Sequence, residues 1–401
     1  MKRFVWASYG MYSLGGMAGV LFGAIMPQLL QHYAVSYTTG GFIVFLQAVG
    51  FMSGVPLVSF LMGRSHYRHI LIASAAVVAI AQLGMLTLPP IELVYVLAIL
   101  NGIGISAVET AVASYIMEAF IGQRAVFMSR LEVAYGLGAL GMPLLASAVI
   151  VWDAWRIAFL IIGGFALLLV WLWNTVTYAL EDAQGGVQLD ARTAAPPNFS
   201  TRRSKYAVLS FFLFMIFVYV GVEGSLNSFL SSIFVTYLDA LPYYASLSVS
   251  VFWLAMVLGR LAIGWVAQHL NYERYLLYSI LASLLSLIGL SQVQHQFAGF
   301  VVIFSLGVAM SAVYSITMVY ANHTFPGMER TVTSLVTAFA GIGGAVFPAV
   351  VGYAMDHLSP ASILWLFIGF AGLLLGALLA IFKALHALRR RALSPAVDVQ
   401  S

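Results

Sequence analysis

The sequence predicts an all-α membrane protein with twelve transmembrane helices arranged as two six-helix bundles. The chain of 401 residues is 62% hydrophobic and only 8% charged, whereas soluble domains contain about 25% charged residues. Its apolar segments are also continuous and reach the length of about 20 residues that a membrane-spanning helix needs. Strands of a transmembrane barrel would instead alternate polar and apolar residues over about 10 positions.

The first apolar region, residues 4–63, contains no Asp, Glu, Lys or Arg. A secretory signal peptide has a shorter apolar core followed by a cleavage site of small residues. The region is long enough for two spans, so we expect a helical hairpin that is retained in the protein. The twelve predicted spans are 8–31, 39–62, 70–88, 92–117, 127–150, 156–178, 206–238, 244–268, 274–292, 298–321, 331–354 and 360–384.

A hydrophilic stretch divides these spans into two groups of six. Residues 179–205 contain charged side chains and the pair Pro196-Pro197, a composition that predicts a flexible linker. The predicted organisation is an N-terminal six-helix bundle at 1–178, a cytoplasmic linker at 179–205, a C-terminal six-helix bundle at 206–384 and a cytoplasmic tail at 385–401.

The distribution of basic residues predicts the orientation of the chain. With twelve spans, every Lys and Arg except Arg156 falls on the side that carries both termini. Cytoplasmic loops are enriched in Lys and Arg. We therefore expect a multi-pass protein of the cell inner (plasma) membrane with both termini in the cytoplasm.

The two halves of the sequence resemble each other at an offset of 205 residues. Gly54 aligns with Gly259, and the run 66–74 aligns with 271–279. At the same offset, Gly136, Gly138 and Pro143 align with Gly341, Gly343 and Pro348. Parallel six-helix repeats, with substrate bound between them near the middle of the membrane, describe the major facilitator superfamily.

Three acidic residues lie inside predicted spans: Glu109, Glu132 and Glu223. A charged side chain at bilayer depth costs about 2.5–3.5 kcal/mol on insertion scales and indicates a functional site. Burial disfavours the charged form of a carboxyl group, so such a residue can bind and release a proton during transport.

Glu109 lies near the centre of the fourth span, among small residues that allow close helix packing. One interpretation is that it couples transport to protons or contacts the substrate. The other is that it stays protonated and hydrogen-bonds a neighbouring helix. The sequence leaves both open.

The seventh span carries Tyr219, Glu223 and Asn227 at intervals of four residues, which places them on one helix face. A phenol, a carboxyl group and an amide can together hydrogen-bond the hydroxyl groups of a neutral polar ligand. The alternative is that this polar face joins the seventh span to a neighbouring helix. We predict that the face lines the substrate cavity and that Glu223 also takes part in proton coupling.

The remaining candidates rest on single residues. Glu132 is closer to the cytoplasmic end of the fifth span, which favours an ion pair that gates this side. Gln47 on the second span and Tyr314 on the tenth are further substrate-binding candidates, although either can equally serve in packing. Trp253 on the eighth span can stack on a sugar ring or pack against its neighbours.

Several segments carry a resemblance to one branch of the superfamily. They are Ser106–Ala111, Ser129–Val133 with Gly136–Leu140, Tyr219–Glu223, and Phe252-Trp253 followed by Gly259–Gly264. Together they resemble the fucose–glucose–hexose permease branch and, within it, the bacterial glucose/mannose:proton symporters. The resemblance runs through most of both halves, and its most specific part is Glu109-Thr110-Ala111.

The resemblance implies that Glu109 takes part in proton and sugar handling. The family also uses an acidic residue in its first span, and the first span here has none. The repeat aligns Ala18 with Glu223, so the seventh span is a candidate to supply the missing carboxyl group. Tyr135 and Gly138 stand where the family carries amides on the fifth span.

The leading functional hypothesis is proton-coupled uptake of a hexose of the glucose/mannose type by alternating access. The alternative is proton-driven efflux of drugs or metabolites, because the segment 138–143 is similar to the Gly-Pro element of antiporters, although Met142 interrupts it. The sequence shows no metal cluster, nucleophile motif or nucleotide-binding loop, so we expect no enzyme activity, no metal and no cofactor. The expected partners are a small-molecule substrate, protons and membrane lipid, without nucleic acid, and we expect a monomer.

Overall fold

The computed structural model describes residues 2–62, 64–119, 124–175, 202–269 and 271–393. The helices of these residues are α1 (Lys2–Ala24), α2 (Met26–Tyr33), α3 (Tyr37–Met62), α4 (Tyr67–Leu86), α5 (Ile91–Ala119), α6 (Arg124–Val151), α7 (Ile157–Thr175), α8 (Arg202–Leu238), α9 (Pro242–His269), α10 (Tyr272–Gln292), α11 (Gln296–Met310), α12 (Val313–Thr324), α13 (Glu329–His357) and α14 (Pro360–Leu393).

The helices account for the twelve predicted spans. Eleven segments in the described residues are long and apolar enough to cross a membrane, and α11 with α12 counts as one of them. The bent pair α1 and α2 supplies the first span and brings the number to twelve. The prediction of an all-α membrane protein with twelve spans is confirmed.

Two helices extend beyond the predicted borders of the second bundle. α8 begins at Arg202, within the predicted linker, and α14 continues to Leu393, within the predicted tail. Both extensions are rich in Lys and Arg, as expected for helix ends that leave the hydrocarbon region. Residues 176–201, which hold most of the predicted linker, lie outside the described part of the chain, so the domain borders stay a prediction.

The bend between α1 and α2 has a local cause. The two helices meet at an angle of 56°, and Pro27 stands in the first turn of α2. Proline has no backbone N–H, so the carbonyl of Gly23, four residues earlier, loses its helical donor. The hydroxyl group of Ser231 on α8 donates to this carbonyl instead. The bend thereby joins the first span to the seventh, across the two halves.

The repeat seen in the sequence is also a repeat of contacts. A methyl group on Gly54 would collide with the Oγ atom of Ser106, and a methyl group on Gly259 would collide with the Oγ atom of Ser311. Both serine hydroxyls donate to the carbonyl three residues earlier, at 3.1 Å and 2.8 Å. The same offset relates the ring contact Tyr67–Tyr115 to Tyr272–Tyr320 and the close approach Gly102–Gln47 to Gly307–Phe252.

The two halves pack together at one end of the molecule, which we call the distal end. It contains the loops 34–36, 239–241 and 358–359. Here the carboxylate of Asp356 on α13 accepts hydrogen bonds from the backbone N–H groups of Tyr37 and Thr38 at the start of α3, at 2.9 Å and 2.7 Å. Gly41 and Gly352 let the two helices approach closely.

The second interface between the halves is formed by α6 and α9. Serine hydroxyls donate to backbone carbonyls of the opposite helix in the pairs Ser147–Tyr243, Ser246–Pro143 and Ser250–Leu140. These helices run antiparallel, so the pairs form a ladder that begins at the distal end.

The opposite end carries the start of α1, the loop 64–66 and the end of α14, and we call it the terminal end. Toward this end, polar residues of α3 and α13 are exposed, including Ser53, Ser59, Thr333 and Thr337. Glu132 on α6 is exposed inside a span as well, and an ionisable side chain at membrane depth faces the bundle interior or a water-filled cavity rather than lipid. The arrangement is therefore closed at the distal end and open at the terminal end.

Candidate functional site

A cluster of polar and aromatic side chains lies between the two halves, in the middle of the spans. The side chain of Tyr135 on α6 marks its centre, because Glu109, Glu132, Glu223 and Arg260 all lie within electrostatic range of its hydroxyl group. Residues from both halves thus meet at one place, which we call the central cluster.

Aromatic rings join the halves across the central cluster. The rings of Tyr135 on α6 and Trp253 on α9 have centroids 5.9 Å apart. The indole Nε1 of Trp253 donates a hydrogen bond of 2.9 Å to the Oδ1 atom of Asn227 on α8. Asn227 is only partly buried, and its amide N–H groups have no hydrogen-bond partner within the described residues. They are therefore able to donate to a ligand.

An ion pair lies beside this aromatic contact. The guanidinium group of Arg260 is 3.7 Å from the Oε1 atom of Glu223, and both side chains keep some exposure, 30% and 17%. The guanidinium also lies 5.8 Å from the ring centroid of Trp253, a distance at which a cation is attracted to an aromatic face. Charge and aromatic surface are thus combined at one wall of the opening.

The break between α11 and α12 explains where Tyr219 and Arg260 are anchored. The helix is interrupted at Ser311 and Ala312, which leaves backbone carbonyls without their helical donors. The hydroxyl group of Tyr219 donates to the carbonyl of Met310 at 2.7 Å, and the Nε atom of Arg260 donates to the carbonyl of Ser311 at 3.2 Å. Unpaired backbone groups are costly inside a membrane, so both side chains stabilise the break.

Tyr219 is therefore placed differently from the other residues of its predicted face. Only 1% of its surface is exposed, and its hydroxyl group lies between the Met310 carbonyl and the Glu223 carboxyl group. In this conformation Tyr219 positions Glu223 and does not face the opening. Glu223 and Asn227, one and two turns further along α8, are the members of the face that reach the central cluster.

Glu109 lies against the first span. A methyl group on Gly15 would be 3.2 Å from the Oε1 atom of Glu109, so the carboxyl group reaches α1 and lies close to this glycine. Tyr12 donates to the backbone carbonyl of Glu109 at 3.3 Å. We find no hydrogen bond to the Glu109 carboxyl group within the described residues, so the bond to a neighbouring helix, the alternative interpretation of Glu109, is not seen there in this conformation.

The weaker candidates occupy different positions. Glu132 is exposed, although it lies inside a span, and it therefore faces the opening at the terminal end. Tyr314 hydrogen-bonds Thr337 of α13 and lies within electrostatic range of Glu132 and Glu223, at the rim of the central cluster. The Oε1 atom of Gln47 is buried, with no partner in the described residues, and we find no contact that links it to the cluster.

The structure adds two residues that the sequence interpretation did not select. Arg260 was assigned to the cytoplasmic basic residues, yet it pairs with Glu223 inside the molecule. Two features of the sequence could have indicated this ion pair. Arg260 lies within an apolar membrane-spanning segment, and the preceding span contains an acidic residue, Glu223. Tyr135 was noted only where an amide was expected. The described residues contain no group of three or more His, Cys, Asp or Glu side chains that could hold a metal ion.

Two halves of six spans around a polar cluster that opens to one end define the class of secondary transporters. A family model described as the Major Facilitator Superfamily matches residues 8–326 and 212–398. The chain belongs to the Major Facilitator Superfamily, and the prediction made from its repeat is confirmed. It is a membrane transporter and not an enzyme.

Comparisons with individual proteins agree with this assignment. The chain is 28% identical over 355 residues to the glucose/mannose transporter GlcP of Bacillus subtilis (strain 168), covering 87% of each chain. Its fold is similar to the nucleoside transporter NupG, with a TM-score of 0.77, 13% identity and coverage of 95% of this chain and 98% of that one. A D-xylose-proton symporter gives a TM-score of 0.70 with 16% identity, covering 95% and 97% of the two chains.

Proposed function

We propose that this protein takes up a hexose of the glucose/mannose type together with protons, by alternating access. The observation that carries the proposal is the central cluster. It combines ionisable groups with partly exposed hydrogen-bonding groups and with aromatic rings, between two halves that are closed at one end and open at the other. The similarity to a glucose/mannose transporter over most of both chains supports the choice of substrate.

The chemistry of the cluster suits a neutral, hydroxyl-rich ligand. Such a ligand gives up many hydrogen bonds to water and needs side-chain donors and acceptors to replace them. The amide of Asn227 offers donors, and the carboxylate of Glu223 offers acceptors. The ring of Trp253 is the candidate to stack on the C–H groups of a sugar ring, although only 6% of its surface is exposed in this conformation. Tyr314 at the rim of the cluster is a further candidate, and Gln47, for which we find no contact with the cluster in this conformation, is another.

Proton coupling is assigned to Glu109, with Glu223 as a second candidate. Glu109 is partly buried against α1 and has no cationic partner in the described residues, so nothing there holds it in the charged form. A carboxyl group in such a setting binds a proton when it is dry and releases it when water reaches it. Glu223 differs, because Arg260 stabilises its charged form.

The proposal includes the surroundings of the protein. The charge distribution favours an inner (plasma) membrane protein with its terminal end in the cytoplasm, which makes the present conformation inward-open. We propose that it works as a monomer surrounded by lipid, with sugar and protons as its partners. Proton-driven efflux is not favoured, because Met142 interrupts the antiporter-like element. The similar proteins named by substrate are a glucose/mannose transporter, a nucleoside transporter and a D-xylose-proton symporter.

The test is uptake of radiolabelled glucose and mannose into proteoliposomes that contain the purified protein. We expect accumulation above the external concentration when an inward proton gradient is imposed, and only equilibration without it. Unlabelled mannose should compete with labelled glucose, and a nucleoside such as uridine should not. Absence of hexose uptake under both conditions would refute the proposal.

A further inference from the structure

The contacts between α6 and α9 form a regular series along two antiparallel helices. One helix turn beyond the last contact, the two helices carry opposite charges, Glu132 on α6 and Arg260 on α9. From the distal end, the ladder contains the pairs 147–243, 143–246 and 140–250. It continues with the ring contact Tyr135–Trp253 and the approach of Gly136 to Val257. The three serine pairs are spaced by about one helix turn on both helices, and the contacts of the neighbouring residues Tyr135 and Gly136 continue the interface by about one further turn of α6 toward the terminal end.

The next step of this ladder joins Glu132 to Arg260. Glu132 precedes Gly136 by four residues and Arg260 follows Val257 by three, so each lies on the helix face that already carries the interface. The register of the two helices therefore places a carboxylate of the first half opposite a guanidinium group of the second half.

This pair is not formed in the present conformation, which is open at the terminal end. Glu132 is exposed and makes no ion pair with the described residues, although Arg260 is the charge that acts most strongly on it. Arg260 instead contacts Glu223 of its own half at 3.7 Å. That distance is long for a charge-assisted hydrogen bond, which is typically about 2.7–2.9 Å, so the contact can be exchanged easily.

The anchoring of Arg260 allows the exchange. Its Nε atom is held by the carbonyl of Ser311 at 3.2 Å, while the terminal nitrogens of the guanidinium group remain free to change partner. Arginine carries five N–H donors in a fixed fork. A rotation about this anchor moves the terminal nitrogens from α8 toward α6.

We propose that Arg260 leaves Glu223 and pairs with Glu132 when the two halves close at the terminal end. The ion pair between halves stabilises the state that is open at the distal end. In that state Glu223 loses its cationic partner and its carboxyl group becomes available to a ligand or a proton entering from the distal side. The inference rests on the proposed alternating access, but not on the identity of the substrate.

The test measures closure of the terminal end in the absence of sugar and of any proton gradient. The chain has no cysteine, so Ser65→Cys places a thiol beside the end of α3 and Pro326→Cys places one beside the start of α13, the two helices that pack together across the halves. The rate at which a short bifunctional thiol reagent joins them in reconstituted protein reports how often the end closes, even when the closed state is rare.

The proposal predicts opposite effects for two isosteric substitutions. Glu132→Gln removes the partner available in the closed state and should slow cross-linking roughly 5-fold. Glu223→Gln removes the competing partner and should accelerate cross-linking by a similar factor. Combining Glu132→Gln with Arg260→Gln should slow it no further than Arg260→Gln alone.

Two other outcomes would contradict the proposed change of partner of Arg260 from Glu223 to Glu132. An unchanged rate in Glu132→Gln would show that no ion pair forms on closure. A shift in the same direction for Glu132→Gln and Glu223→Gln would show that the charges act only on general stability. Because no substrate is present, loss of hexose uptake in the proteoliposome experiment would leave these results standing, and the two proposals can fail separately.

Discussion

The indole Nε1 of Trp253 donates a hydrogen bond to the Oδ1 atom of Asn227 at 2.9 Å, and this bond fixes the orientation of the amide. With its oxygen occupied, the amide presents its N–H groups toward the opening between the halves. The sequence predicted Trp253 as a residue that can stack on a sugar ring. The structure shows that it also orients the Asn227 amide, which is a hydrogen-bond donor.

Substitution of Asn227 should weaken sugar binding. Asn227→Ala removes a donor to the sugar and leaves the Trp253 N–H without its acceptor, and losing a buried hydrogen-bond partner costs about 1–3 kcal/mol. We expect the apparent affinity to fall by roughly 5- to 150-fold, measured as the half-saturating sugar concentration in uptake.

Ser225→Ala is the matched control on the same helix. Ser225 is fully buried, its hydroxyl group has no partner in the described residues, and it lies on another face of α8 from Asn227. Its removal should leave the affinity unchanged. Equal losses at both positions would indicate damage to packing, and normal affinity in Asn227→Ala would exclude this amide from the site.

Glu109→Gln should uncouple transport from protons. Glutamine keeps the shape that fits against Gly15 but cannot gain and lose a proton. We expect accumulation against a sugar gradient to be abolished while exchange of labelled for unlabelled sugar continues, both measured in proteoliposomes. If the variant still concentrates sugar, the coupling group is elsewhere, and Glu223→Gln becomes the next variant to measure.

Asp356→Ala should weaken the closure of the distal end. The carboxylate caps the first turn of a helix in the opposite half, and loss of an N-cap costs about 1 kcal/mol. The population open at the distal end should rise roughly 5-fold, measured as distances between spin labels at Trp152→Cys and Gln294→Cys. Glu92→Gln, an exposed acid at the same end without a contact between the halves, should have no effect.

Gly54→Ala should destabilise the packing of α3 on α5. The added methyl group would collide with the Oγ atom of Ser106 and approach the Ile103 carbonyl to 3.0 Å, and overpacking typically costs about 1–3 kcal/mol. We expect a lower melting temperature in detergent. Ser106→Ala in the same chain should restore part of the loss, and no restoration would show that the strain lies in the backbone contact.

The orientation can be measured with single cysteines in two exposed loops. Gln294→Cys lies at the distal end and Ser65→Cys at the terminal end. An impermeant thiol reagent added to intact cells should label position 294 and spare position 65. The reverse pattern would place both termini outside the cell.

Much of the fold was predictable because a membrane restricts the choices. Long apolar runs can only be helices when no water is present to satisfy the backbone, and the 205-residue offset between Gly54 and Gly259 identified the repeat. The helix breaks at Ile25 and at Ser311-Ala312 were harder to predict from the sequence. Pro27 signals the first, whereas no proline or glycine marks the second, which depends on donors from other spans.

The acidic residues of the candidate site could be predicted from the sequence, but the groups that the site residues contact could not. Glu109, Glu132 and Glu223 are conspicuous because charge inside a span is expensive, and all three lie within range of Tyr135. Helical periodicity placed Tyr219 on the same face as Asn227. It could not show that the hydroxyl group of Tyr219 donates its hydrogen bond to the Met310 carbonyl and is not available to a ligand. That carbonyl is available only because of a break in a span nearly 100 residues away.

The break at Ser311-Ala312 also gives the two halves unequal stiffness. Tyr219 and Arg260 fasten the seventh and eighth spans to the tenth by bonds to its carbonyls, in a medium that offers no water to replace them. The corresponding helix of the first half, α5, continues unbroken through Ser106, and in the described residues near it we find one longer bond of this kind, from Tyr12 to the Glu109 carbonyl at 3.3 Å. The second half is therefore held together more firmly around this break than the first half is at the corresponding position. We expect bending during the transport cycle to concentrate in the first half, at the break in its first span near Ile25.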